Sequence, residues 1–214
     1  AFLEEKSPFR YAITGNVGGV SWNLDYVQRA PTVDAFNEAH VGIFLWEKIS
    51  WLIKMPRADV TGTIILDGVT VPLNALGYSD SNWGEDLPFL SRYEWGQFND
   101  EKISIIFGVV YKWWRMWRSY VYVIFDRQII SFEGEEFVLF ERAWGKEEFA
   151  SIKTPKRTEF EIKKGQYALR CVFAPVREDT MALRLSPLLP NPCVIEQISS
   201  YEGACYHNGK ILHR

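Results

Sequence analysis

The sequence is poor in the residues on which most hydrolases and metal proteins depend. Its 214 residues include three histidines and three cysteines. Cys171, Cys193 and Cys205 contain no CxxC pair, and an odd number cannot all be bridged within one chain. Cys205, His207 and His213 could hold a metal on paper, but the spacing matches no strong zinc pattern, so no metal and no other cofactor is expected. The thiols read as buried and reduced, which points to a reducing compartment. No GxSxG elbow and no HExxH occurs, and histidines at 40, 207 and 213 leave a serine or cysteine triad few bases. His40 reads as a loop or core-edge residue. No apolar run reaches the roughly 18 residues of a membrane-spanning helix. No signal peptide is evident, and because the chain opens on Ala1 an upstream stretch is expected to be missing from it. Charge of one sign is scarce too. With 24 basic and 27 acidic side chains the net charge is −3 and the pI near 5.7, which argues against general nucleic-acid binding. GNVGG (residues 15–19) lacks the spacing of a phosphate loop and has no helix after it, so it reads as a turn.

Aromatic residues, by contrast, are abundant: nine Trp, ten Tyr and fourteen Phe. That excess suits a wide apolar cavity or many large core contacts, and composition does not separate the two. The dominant hydrophobic period is two. VTGTIILDGVTVPL (60–73) places Asp67-Gly68 between alternating stretches, a hairpin signal. Strands are expected at 102–111, 119–132, 136–144, 158–175 (turning at Lys164-Gly165), 181–186 and 193–206, with longer ones upstream. Turn signals this frequent argue for a barrel or sandwich. APTVDAFNEAH (30–40) is the best helix candidate and reads as a short helix or loop. LSPLLPNPCV (185–194) carries three prolines and must be a loop.

Two stretches carry chemistry. YKWWRMWRSY (111–120) interleaves Lys112, Arg115 and Arg118 with Tyr111, Trp113, Trp114 and Trp117. It could stack nucleic-acid bases, anchor at a membrane interface, or be a hairpin tip whose indoles pack inward while the cations reach water. GYSDSNWGED (77–86) crowds Asp80, Glu85 and Asp86 beside Tyr78, Asn82 and Trp83 at a strand end. It could be a capped turn plugging a barrel. Alternatively, Asp80 held among aromatics would be desolvated and its pKa raised, making it a proton donor. Asn82 would orient it, and the indole and phenol faces would stabilise a cation. Glu94 and Trp95, in SRYEWGQF, would face the same mouth.

GYSDSNWG resembles the G-Y-x-D-H-N-W-G motif of the lipocalin-like superfamily that includes carotenoid 1,2-hydratases and AttH-type proteins, with tocopherol cyclases and fungal Diels–Alderases as more distant relatives. WLIKMPRADVTGTI, YEWGQF, KISIIFGVVY and YVYVIFDRQII resemble it as well, so the likeness covers roughly residues 45–132. It implies an all-β, lipocalin-like antiparallel fold of two packed barrels, the first (1–110) incomplete and the second spanning 111–214. It also implies an aromatic-lined ligand cavity. Where the family motif carries histidine this chain has Ser81, a poor substitute for imidazole in proton transfer. Hydration is therefore not the expected reaction; cyclisation or acid-assisted addition on a bound isoprenoid or polyene is, with carriage of a hydrophobic molecule as the alternative. The expected catalytic set is Asp80, Ser81 and Asn82. The expected ligand-binding set is Tyr78, Trp83, Glu94, Trp95, Tyr111, Trp113, Trp114 and Tyr122. The partner expected is a hydrophobic small molecule, with peripheral membrane contact, no nucleic acid, and a monomer or weak homodimer in the cytoplasm or at the membrane surface.

Overall fold

The computed structural model describes residues 2–40, 48–84, 92–112, 115–125, 127–133, 137–146, 153–182 and 193–213. All regular structure among them is β-strand. By internal contact the chain divides into Ala1–Ser131 and Phe132–Arg214. The sequence reading put the boundary at 110, which falls within the strand Ile103–Lys112.

In the first unit β1 (Phe2–Ser7), β2 (Arg10–Val17), β3 (Val20–Gln28), β4 (Val33–His40), β5 (Lys48–Leu66) and β6 (Val69–Gly84) form one antiparallel sheet. The turns follow the sequence signals. Gly18 and Gly19 (φ 55 and 83) join β2 to β3, so GNVGG does form a turn. Asp67 and Gly68 (φ 48 and 83) join β5 to β6 in the left-handed pair that two-residue hairpins require.

The segment expected to be a short helix or loop is mostly strand. Gln28 pairs with Ala58 and Val33 with Ile53, five residues on along each chain, so β3 and β4 are one strand interrupted without loss of register. Pro31 lies in the interruption and has no N–H to give the ladder. The Thr32 hydroxyl donates instead to the Lys54 carbonyl at 2.9 Å. Beyond it Val33 and Ala35 are buried and Asp34 exposed, a period of two that only a partner strand can reward. Three turns of weak helix propensity lose to the long edge of β5.

Opposite this interruption β5 turns a corner. Its register with β6 slips between Leu52 and Met55 and again between Met55 and Ala58. The buried set changes with it, from Trp51, Ile53 and Met55 to Ala58 and Val60. Beyond the corner the sheet is amphipathic. One face aligns Trp22 with Ile64 and Val71, Leu24 with Gly62 and Leu73, and Tyr26 with Val60 and Ala75. The other aligns Asn23 with Thr63 and Pro72, and Asp25 with Thr61 and Asn74. The apolar face is half-covered at Trp22, Leu24 and Tyr26 and open at Leu66, Val69 and Val71.

The second sheet of this unit has the order β10-β9-β8-β7, formed by β7 (Arg92–Asn99), β8 (Ile103–Lys112), β9 (Arg115–Phe125) and β10 (Gln128–Glu133). Residues 119–132 were expected to be one strand, but the chain reverses at Arg127 (φ 68) to pair β10 with β9. Residues 103–109 and 119–124 are buried on both faces, which is why they read as unbroken apolar runs. Val33, Ala35, Trp51 and Ile53 of the first sheet share a core with Ile106, Tyr120, Tyr122 and Ile124 of the second.

The second unit holds β11 (Phe137–Lys146), β12 (Lys153–Lys164), β13 (Tyr167–Ala182), β14 (Cys193–His207) and β15 (Lys210–His213) in one antiparallel sheet in chain order. The Lys164-Gly165 turn stands where the sequence placed it, and residues 181–182 extend β13. The proline-rich loop lies mostly outside the described residues. Cys171 and Cys205 are buried free thiols, and burial pushes the Cys171 thiol up to about 12. His207 stacks on Tyr167 with ring centres 4.6 Å apart. Among the described residues no three His, Cys, Asp or Glu side chains converge as a metal site.

Glu159 is buried on this sheet between two arginines. Arg170 Nη2 donates to Oε1 at 2.6 Å and Arg157 Nη2 to Oε2 at 2.9 Å. These bonds hold the carboxyl below its ordinary 4.5. A depressed folded value means the stabilisation is present above the unfolded value and lost as pH falls through the folded one. Glu159→Gln should therefore flatten the acid limb of the stability profile. Urea midpoints measured from about pH 6 down to about pH 3 check this; an unchanged acid limb would show that the pair does not control it.

Candidate functional site

GYSDSNWGED begins at the corner of the first unit and runs outward along β6. Alternation puts Tyr78, Asp80 and Asn82 on one face and Ser79, Ser81 and Trp83 on the other. Asn82 pairs directly with Trp51, so the first set shares Trp51's face. The register slips on either side of Met55, whose partner is Ser79. Such bulges re-aim side chains, and here they bring three groups together.

Asp80 Oδ2 accepts two hydrogen bonds, from Trp51 Nε1–H at 2.8 Å and from the Tyr78 hydroxyl at 3.0 Å. Trp51 is only 4% exposed, so its indole is a fixed strut and Asp80 reports its position. Gly108 of β8 leaves the space for that ring: a Cβ there would come within 3.0 Å of it. Gly108 pairs with Trp95 of β7, so Trp95 stands on the same face of the second sheet. Its ring stacks on Tyr78 with centres 5.9 Å apart and planes 23° apart. Trp95 is still 47% exposed. The result is an aromatic ledge, half in water and half on the core, with a fixed carboxylate behind it.

Burial, and then the Asp80 charge and hydrogen bond, hold the Tyr78 phenol well above its ordinary 10.0. Burial raises Tyr26 as well. A raised folded value means stability is intact below the unfolded value and is lost as pH climbs through the folded one. Tyrosinate absorbance should accordingly leave at least Tyr78 untitrated until the chain unfolds in alkali, and Tyr78→Phe should remove that late step. A smooth titration near pH 10 in the folded protein would contradict the geometry.

The expected residues fare unequally. Asp80, Tyr78 and Trp95 converge. Asn82 is exposed and makes no bond to Asp80; Trp51 and Tyr78 hold the carboxylate instead. Ser81, half-buried, and Trp83, 52% exposed, lie on the opposite face of β6, so Trp83 does not wall the carboxylate. Glu94 pairs with Val109 and stands on the other face of β7 from Trp95. Tyr122 is a core residue, 2% exposed, whose hydroxyl donates to the Ala35 carbonyl at 2.8 Å. Tyr111 pairs with Arg92 at the end of β8. Trp113 and Trp114, with Glu85 and Asp86, lie outside the described residues; Lys112 pairs with Arg115. Trp51 was missed as a site residue. It stands in the WLIKMP lead-in, and nothing in a linear sequence shows which indole reaches a carboxylate 29 residues away.

No family model matches the chain, and no curated protein matches it. Among solved structures it is similar to that of a protein provisionally described as an AttH, NE1406 from Nitrosomonas europaea. The TM-score is 0.68 at 13% identity, covering 97% of this chain and 67% of that one. The chain thus has an all-β, lipocalin-like fold of the AttH kind.

Proposed function

We propose that the protein binds a lipophilic small molecule of isoprenoid or polyene type against the Tyr78–Trp95 ledge, beside the Asp80 carboxylate. The observation that supports this most is the ledge itself: the Trp95 ring, 47% exposed, stacks on Tyr78, whose hydroxyl donates to a carboxylate also held by the buried Trp51 indole. Aromatic walls with a few placed polar groups are the usual makeup of a lipophile site.

A second reading is catalytic. Both donors at Asp80 point at Oδ2, and among the described residues Oδ1 accepts no bond. That oxygen is available to take or share a proton with a bound molecule undergoing cyclisation. Native mass spectrometry of protein purified from its own cells separates the two. An unmodified lipophile supports carriage, a cyclised product supports turnover, and empty protein that binds no lipophile on titration overturns both. Asp80→Asn should keep affinity within about threefold if the protein only carries, and abolish turnover if it catalyses.

A further inference from the structure

The corner of the first unit also buries a cation that no carboxylate among the described residues answers. Arg57 immediately precedes Ala58, the residue that pairs with Gly77 beneath Tyr26 and Val60. It is 9% exposed, and the one hydrogen bond of its guanidinium among the described residues runs from Nη1 to the Asp100 carbonyl at 3.2 Å. A guanidinium has five N–H donors. A buried charge held by a single carbonyl is costly unless something else meets it. The Asp100 side chain is committed to its own turn, accepting from the backbone N–H of Lys102 and Ile103 on Oδ1.

Two more polar atoms at the same turn are buried without partners. Asn99 and Ser104 are the pair that closes the β7–β8 ladder around Asp100. Asn99 Oδ1 and the fully buried Ser104 Oγ make no hydrogen bond among the described residues. Ser104 follows the alternation of Ile106 and Gly108, so it faces the first sheet, where Arg57 approaches. Asn99 Nδ2 donates to Gln97 Oε1 at 2.7 Å. Turning both amides over keeps that bond and puts an Asn99 N–H where Oδ1 stood. Arg57, Ser104 and Asn99 then offer N–H and O–H donors around the Asp100 turn.

We infer that this turn is a carboxylate site, and that the lipophile proposed above is an apolar acid whose head group is held by Arg57 and Ser104 while its chain lies toward the Tyr78–Trp95 ledge, on the face of β7 that Trp95 shares with Asn99. This rests on the lipophile reading and narrows it. One buried cation balances one charge, which favours a carboxylate over a phosphate dianion. The head group avoids Asp80, which carries the same sign.

Fluorescence titration with hexadecanoate and with hexadecan-1-ol tests the assignment, together with unfolding midpoints measured in acetate. Wild-type protein should bind the acid about tenfold more tightly than the alcohol. Arg57→Gln should equalise the two, and Ser104→Ala should cut the preference to about threefold. Acetate should raise the midpoint of the wild type and not of Arg57→Gln. Equal binding of acid and alcohol by the wild type overturns the carboxylate site and leaves the lipophile reading standing. If neither lipid binds but acetate stabilises the wild type alone, the lipophile reading falls and the anion site stands. Should Arg57→Gln fail to fold, the wild-type preference and the Ser104→Ala titration still decide.

Discussion

Trp51→Ala should lower the stability of the first unit by about 3–5 kcal/mol. The indole is buried between the two sheets, sharing a core with Ile53 and Ile106 and filling the space that Gly108 leaves. Removing it opens a cavity, and it also strips Asp80 of its 2.8 Å donor. Trp51→Phe separates these effects, since a phenyl ring restores much of the volume but offers no N–H. It should cost about 1–3 kcal/mol, the range for leaving a part-buried acceptor short of a partner. Denaturant unfolding followed by circular dichroism measures both. Trp51→Ala within about 1 kcal/mol of wild type would mean the two sheets do not depend on this ring.

Gly62→Ala should be comparably damaging for a different reason. Gly62 lies inside β5 with φ +146, a conformation essentially reserved for glycine. A Cβ there would lie 2.1 Å from the Asn23 carbonyl oxygen, a backbone atom that cannot swing aside. The sheet curls, and a glycine between Leu24 and Leu73 lets neighbouring backbones approach where it bends. We expect about 3 kcal/mol or more, a midpoint drop on the order of 6–12 °C. Gly68→Ala is the control: its φ is +83 but nothing lies within 4 Å of the added carbon. It should cost about 1–2 kcal/mol, the left-handed penalty alone. Equal losses at the two positions would show that backbone conformation, and not the close approach, sets the cost.

Of the residues singled out from sequence, the structure brings Asp80, Tyr78 and Trp95 together and places Trp83, Glu94 and Tyr122 elsewhere. Asp80 beside Tyr78 is legible because the two stand two apart on a strand and share a face. Trp83 was enlisted because it is near Asp80 in the chain, but three residues is an odd step on a strand and puts it on the other side. Trp95 was legible as a neighbour of the next strand. Arg57 gave no linear signal, since an arginine in a strand is ordinary until its burial is known.

Local chemistry alone determined the β-strand character of nearly the whole chain and the turns at Gly18-Gly19, Asp67-Gly68 and Lys164-Gly165. Period-two patterning and left-handed glycines act over a few residues and need no tertiary context. Tertiary structure decided the strand at 33–40, the two slips of β5 against β6, and the meeting of Trp51 with Asp80. Each depends on which strand lies alongside, and pairing is won by backbone hydrogen bonds and burial across tens of residues, which no short stretch of sequence contains.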